Sequence, residues 1–262
     1  MSDPKEEKKR QDQFPWSRSK FHSEYNYYLA KYKVESCLEN SKGTSLLDLA
    51  CGDGMMTQIF SEHFSKVVGV DASATHIKEA RKRCPKVTFH ESLIEDLSLA
   101  SRFDSIFLLD ILEHVQDPVA LLKKAASHLN DNGVMVIHVP NANAVNRKIA
   151  VKMGTLLECT ELTPFDIDIA GHRRSYIMDT LTQDVISSGL KVIKTGGIFY
   201  KMLSTAQMDW FLKNGLWQSG EFGWGRVGGE TKDWKEEFCR ACYEYGKESP
   251  DDCNLIYAVA EK

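Results

Sequence analysis

The sequence predicts an α/β domain built on a mostly parallel sheet, and three observations predict it. Residues 45–71, SLLDLACGDGMMTQIFSEHFSKVVGVD, read as an apolar run, a glycine turn, an amphipathic helix and a second apolar run that ends on an acid. Residues 103–109, FDSIFLL, form a nearly continuous apolar run, the pattern of a central strand covered on both faces. At 262 residues with 42% apolar content, the chain can fill one such domain with additions.

The elements follow in order. Residues 1–14, MSDPKEEKKRQDQF, are charged and aperiodic and read as a disordered tail, leaving 15–262 as a single domain. Phe21 to Leu38 carries apolar and aromatic residues at helical spacing. The first strand, Ser45 to Ala50, breaks at Cys51-Gly52-Asp53-Gly54, and the helix that follows presents Met55, Ile59, Phe60 and Phe64. Gly52 and Gly54 permit a tight turn and leave room for a ligand against the main chain, with the free N–H groups of the opening helix facing it. The second strand, Val67 to Val70, ends on Asp71, where a nucleotide-binding fold places a carboxylate for ribose hydroxyls. Ala74 to Arg83 reads as a helix and Lys86 to His90 as a short strand. The central strand ends on Asp110, at the carboxyl edge where open α/β sheets bind ligands.

Beyond it come a helix over Leu121–Leu129, a turn at Asp131-Asn-Gly133 and a fifth strand, Val134–Val139, stopped by Pro140. Residues 141–178 break the repeating unit and read as an insertion or lid on the substrate side. A helix over Asp179–Ser188 leads to a sixth strand from Lys191 to Tyr200. The stretch 205–250 is an insertion with a Gly-rich centre and many aromatics (Trp210, Phe211, Trp217, Phe222, Trp224, Trp234), suited to a dimer surface, a substrate wall or both. Asn254–Ala260 reads as a last edge strand.

Two ligand classes use such a glycine turn, dinucleotides and S-adenosylmethionine (SAM). A dinucleotide fingerprint starting at Gly52 needs a third glycine at position 57, which is Thr57. Asp48-Leu-Ala-Cys-Gly-Asp-Gly54 instead resembles the acid-x-Gly-x-Gly-x-Gly motif of class I SAM-dependent methyltransferases, with Ala50 at the first glycine. The resemblance continues through residues 103–118, FDSIFLLDILEHVQDP, and through 121–139. Within that family the Leu-Glu-His-Val-x-Asp-Pro stretch is most similar to the small-molecule branch that includes ubiquinone-biosynthesis O-methyltransferases. The resemblance implies a Rossmann-like sheet of seven strands, mostly parallel with an antiparallel last strand, and helices on both faces. It also implies an N-terminal helical lid (15–40), in which Tyr28 either borders the cofactor mouth or packs the domain edge. SAM would be held by Asp48, Ala50, Gly52, Gly54, Asp71 and Ala72. Its adenine would lie against backbone groups of Leu93 and Ile94, because the family's usual aspartate position falls on Leu93. Leu109 and Asp110 would lie beside the methionine portion.

Methyl transfer is a direct displacement, accelerated by alignment and, for a protonated acceptor, by a nearby base. Of eight histidines, His63, His76, His90 and His128 fall away from the motifs, His22 lies in the N-terminal helix, and His138 sits inside a core strand. His114 and His172 remain as candidate catalytic groups. His172 lies in Ala170-Gly-His-Arg-Arg-Ser-Tyr176, which looks like a Gly-His-x-Arg-x-Tyr stretch of small-molecule methyltransferases. It would supply a base, two anion donors (Arg173, Arg174) and a stacking surface (Tyr176), with Asn141 and Arg147 on the same side. That reading implies an anionic acceptor, such as a phosphorylated or nucleotide-linked sugar; the competing one is a basic turn paired with Asp166 and Asp168. Glu113 and His114 either contact substrate or orient their turn.

A net charge of −4 gives no basic field for long nucleic acid, and Asp110-Ile-Leu-Glu stands where base-methylating enzymes carry Asp-Pro-Pro-Tyr. No apolar run approaches the roughly 20 residues that span a bilayer. The seven cysteines are scattered and the setting reads as cytoplasmic; Cys239-Arg-Ala-Cys242 lacks a second ligand pair, so no metal is assigned, and Asp110, Glu113 and Asp168 leave one open. The expected partner is a small-molecule acceptor, with a homodimer open. A SAM-binding scaffold without chemistry is the rival reading, and a dehydrogenase a third.

Overall fold

The structure, a computed structural model, describes residues 23–214 and 234–262; the expected tail at 1–14, His22, Trp217, Phe222 and Trp224 lie outside these residues. Seven strands form one sheet: β1 Ser45–Leu49, β2 Lys66–Asp71, β3 Thr88–Glu91, β4 Phe103–Leu109, β5 Leu129–Pro140, β6 Lys191–Tyr200 and β7 Cys253–Glu261. Their order is β3-β2-β1-β4-β5-β7-β6. The first five strands pair in parallel, and β7 runs antiparallel to both neighbours. The seven-stranded, mostly parallel sheet expected from the sequence is therefore present.

One placement differs. β7 is not an edge strand, because β5 and β6 flank it, and Leu255 to Ala260 are buried accordingly. The edge on that side is β6, whose first half is mostly exposed and carries Lys191 and Lys194, charges that discourage further pairing.

Alternate side chains divide the core into two layers, as strand geometry requires. Leu47, Leu49, Ile106 and Leu108 pack with Leu121 and Leu122 of α4 (Pro118–Ala126) and with Leu181 and Val185 of α6 (Met178–Ser187). Leu46, Phe107, Val134 and Val136 face the other way, onto α1 (Glu24–Glu39), α2 (Met55–His63), α7 (Thr205–Asn214) and α8 (Trp234–Glu248). In that layer Tyr32 of α1 stacks on Tyr243 of α8 at 4.6 Å, and Tyr25 meets Phe199 edge-on at 5.4 Å. The described parts of the 205–250 stretch are thus two helices that hold α1 to the sheet, helped by ion pairs from Lys235 to Glu24 and from Arg240 to Glu35.

α4 starts three residues before its expected position, because Pro118 takes the first turn and the Asp117 carboxylate accepts from Ala120 N at 2.8 Å. Leu129, expected as the helix end, pairs with Phe103 in β5, and the Asn-Gly turn becomes an irregularity in that strand. The 141–178 segment holds α5 (Val145–Lys152) and a π-helical turn, Phe165–Ala170, and returns to the sheet edge through an Asn141–Tyr176 bridge.

Candidate functional site

The chain between β1 and α2 enters the left-handed region three times in five residues, at Ala50 (φ 59°), Gly52 (55°) and Gly54 (76°). The two glycines do different things. A Cβ on Gly52 would meet nothing within 4 Å, so its side of the turn is open, whereas a Cβ on Gly54 would stand 2.9 Å from that of Ala80 on α3 (Ala74–Arg83). Gly52 leaves room and Gly54 admits the neighbouring helix. Asp71 fastens the turn: its carboxylate accepts from Gly52 N and from Ser73 N, both at 2.9 Å, with half-buried Ala72 between.

Beneath the turn Asp48 is buried, and burial pushes its carboxyl up to about 7 against the opposing hydrogen bond from Thr57. Thr57 Oγ1 donates to it at 2.6 Å. The residue that excludes a dinucleotide glycine thus serves the motif acid instead. Ser92 N donates to Asp71 O, which brings Leu93 and Ile94 beside the end of β2, and Ile94 turns its side chain into the core.

β1 and β4 are neighbours, and the chain order reverses between them, which is where an open sheet forms its ligand crevice. Leu109 is buried there, and Asp110 adopts φ 53° and pairs with Lys33 of α1. The sequence reading missed Lys33. Its signal was a lysine on the inward stripe of an aromatic helix, beside Tyr25, Tyr32 and Ser36. Tyr28 is buried in the same layer.

One turn beyond Asp110, the loop after β4 meets the 141–178 segment. Glu113 and His114 are buried, and the His114 ring meets that of His172 edge-on at 5.0 Å. Glu113 Oε1 lies 3.8 Å from His114 Nε2, yet among the described residues neither Glu113 oxygen has a hydrogen-bond partner. Burial, then the nearby Asp110 charge, pushes this carboxyl well above its usual range. His172 Nδ1 lies 3.3 Å from Asp166 Oδ1, and His172 N donates to Asp166 O at 2.7 Å. Although burial raises it, the Asp166 carboxyl is held below the usual range by hydrogen bonds from His172 and Thr163. With Nδ1–H toward Asp166, Nε2 of His172 is left as an acceptor. Glu113, Asn141, Arg147, Asp166, His172 and Arg174 line a single pocket.

The cations expected to bind an acceptor are engaged elsewhere. Arg174 donates to the carbonyls of Leu112, Val115 and Gln116, and Arg173 Nε donates to His114 O. Arg147 holds the carbonyls of Cys159 and Glu161 and pairs with Asp166. Tyr176 is buried, its hydroxyl donating to Asp184 at 2.8 Å, and Asn141 Nδ2 holds the carbonyls of Asp251 and Cys253. These side chains build the wall and turn few donors toward a ligand. No metal is assigned from the sequence, where Glu113 is one of the acids that leave one open; Glu113, His114 and His172 bring donor atoms within 4.8 Å of one another, a mixed nitrogen and oxygen set of the kind a divalent cation takes.

A glycine cradle at the switch point of an open sheet, with an acid below it and another at the tip of β2, defines a Rossmann-like cofactor-binding domain. Comparison with known proteins narrows the class. The methyltransferase-domain family matches residues 21–195, and the chain belongs to that family. It is 31% identical over 123 residues to a ubiquinone biosynthesis O-methyltransferase of Rhodopseudomonas palustris (strain TIE-1), and 32% identical over 123 residues to one from Bradyrhizobium sp. (strain ORS 278). Each match covers 45% of this chain and 47% of the relative, so the chain spans about half the length of the curated relatives it matches. Two SAM-dependent methyltransferase structures share the fold. One, from Mesorhizobium loti, has TM-score 0.57 and 16% identity over 89% of this chain and 98% of that one. The other, from Archaeoglobus fulgidus, has TM-score 0.57 and 17% identity over 94% and 97%. No helix among the described residues is long and apolar enough to cross a membrane.

Proposed function

We propose that this chain moves the methyl group of SAM to an oxygen, or next a nitrogen, of a small polar acceptor. The observation that carries the reading is the Asp166–His172 pair, which lines a pocket with Glu113 just beyond the carboxyl end of β4, the His172 ring meeting that of His114. SAM supplies a methyl group on a positively charged sulfur. In this reading the open side of Gly52 admits it, Asp71 and Ala72 meet its ribose, and the main chain at Leu93 and Ile94 meets its adenine. Leu109 and Asp110 border its methionine portion. His172 Nε2 takes the acceptor's proton as the methyl arrives, and Asp166 orients the ring and stabilises the imidazolium. The relatives named as O-methyltransferases favour oxygen. An anionic acceptor, such as a phosphorylated or nucleotide-linked sugar, remains part of the proposal, but its anion is not read by Arg174, whose donors serve the loop after β4.

Calorimetric titration with S-adenosylhomocysteine and then with NAD tests the cofactor. Micromolar binding of the first and none of the second is expected; NAD binding alone overturns the assignment. His172→Ala should then lose turnover at least about 100-fold while keeping S-adenosylhomocysteine affinity. A scaffold that binds SAM without chemistry would show no turnover to lose.

A further inference from the structure

The carboxyl edge holds a second buried cation, and unlike Lys33 it has no acid paired with it among the described residues. Lys201 follows β6 directly and is 6% exposed. Its Nζ donates to Thr205 Oγ1 at 3.2 Å and lies 5.1 Å from the centre of the Tyr25 ring. A hydroxyl and an aromatic face do not supply a counter-charge, and among the described residues no carboxylate forms an ion pair with Lys201. An ammonium withdrawn from water without a counter-charge costs folding free energy, and burial pulls this one down to about 8.

Its surroundings add positive potential. Thr205 opens α7, a ten-residue helix, so the positive end of that dipole lies beside the ammonium's hydroxyl partner. The Tyr25 hydroxyl is also buried without a hydrogen-bond partner among the described residues. Residues 202–206 are exposed, so the ammonium lies one side chain below the surface. An anion reaches it by displacing the Thr205 hydroxyl.

The position relates to the pocket. Tyr200 pairs with Cys253 of β7, and Asn141, which lines the pocket, holds the Cys253 carbonyl at 2.9 Å. Lys201 therefore follows a residue two strands across from the pocket wall, roughly 10 Å at the usual strand spacing. We propose that Lys201 and the N-terminus of α7 form an anion subsite that takes a phosphate or carboxylate carried by the methyl acceptor. The assignment rests on the pocket being the acceptor site, and it returns to the acceptor the anion recognition that the engaged arginines do not supply.

The test uses inorganic phosphate as probe, with thermal unfolding of the full chain followed at constant ionic strength against chloride. Phosphate should raise the midpoint of the wild-type protein saturably, and Lys201→Met should weaken the apparent affinity at least about tenfold, the scale of one charge-assisted hydrogen bond. Lys201→Gln carries the same expectation and serves if the methionine variant does not fold. Equal phosphate response in wild type and variant overturns the subsite. A response abolished by saturating S-adenosylhomocysteine assigns the site to the cofactor's carboxylate and overturns its assignment to the acceptor. S-Adenosylhomocysteine affinity should agree within about twofold between wild type and variants; its absence from all of them is instead a failure of the cofactor reading.

Discussion

The glycine turn proposed to cradle the cofactor and the wall proposed to hold the acceptor both lie at the carboxyl edge and are built by opposite means. The cradle is main chain: positive-φ residues and two glycines shape it, and its fastening acid lies within 20 residues of the turn. The wall is side chain on distant main chain. Arg174 reaches back about 60 residues to hold three carbonyls of the loop that carries Glu113 and His114. A site shaped by backbone tolerates little change in its own residues, whereas one shaped by long side chains depends on residues that never touch the ligand.

The largest expected effect lies under the cradle. Folded Asp48 keeps its proton to about pH 7, whereas the unfolded chain releases it near 3.8. Its stabilising contribution is therefore full below about pH 4 and lost as pH rises through 7, by about 4 kcal/mol as an upper bound. Urea denaturation across that window should show the fall in wild type and a flatter profile in Asp48→Asn. Next is the wall: Arg174→Met strands three carbonyls and should cost about 3 kcal/mol. Turnover should drop about 100-fold with S-adenosylhomocysteine affinity within about twofold, and a parallel loss of both would erase the distinction between cradle and wall.

The two glycines sharpen the comparison. Gly54→Ala forces a Cβ against Ala80 at positive φ and should cost about 2 kcal/mol or more, seen as a lower melting temperature. Gly52→Ala should cost about 1 kcal/mol, yet weaken S-adenosylhomocysteine at least about tenfold by filling the open side. The smallest effect is Ala50→Gly, which relieves a left-handed alanine and should stabilise by under about 1 kcal/mol, with binding unchanged.

The same contrast explains what could be read in the sequence. Glycine spacing and an acid at a strand tip are local, and the cradle, the central strand and the helix Ala74–Arg83 stand where the pattern puts them. The role of an arginine is decided by what lies opposite it after folding. Nothing within Gly-His-Arg-Arg-Ser-Tyr distinguishes a guanidinium that meets a phosphate from one that meets the carbonyls of residues 112–116. The π-helical turn that brings Asp166 to His172 also has no sequence period of its own. The interior position of β7 did leave a trace: Leu255–Ala260 is as continuously apolar as Phe103–Leu109, the mark of a strand covered on both faces rather than of an edge.

That interior position also sets an order of assembly. On the ribosome β6 is made well before β7, yet it has no partner in the sheet until residues 253–261 emerge, because β7 alone joins it to β5. Until then the Met135–Pro140 face of β5 is an open apolar edge, the kind that pairs with other chains. A nascent chain stopped short of residue 253 should therefore be a client for chaperones, and its last strand a closing one.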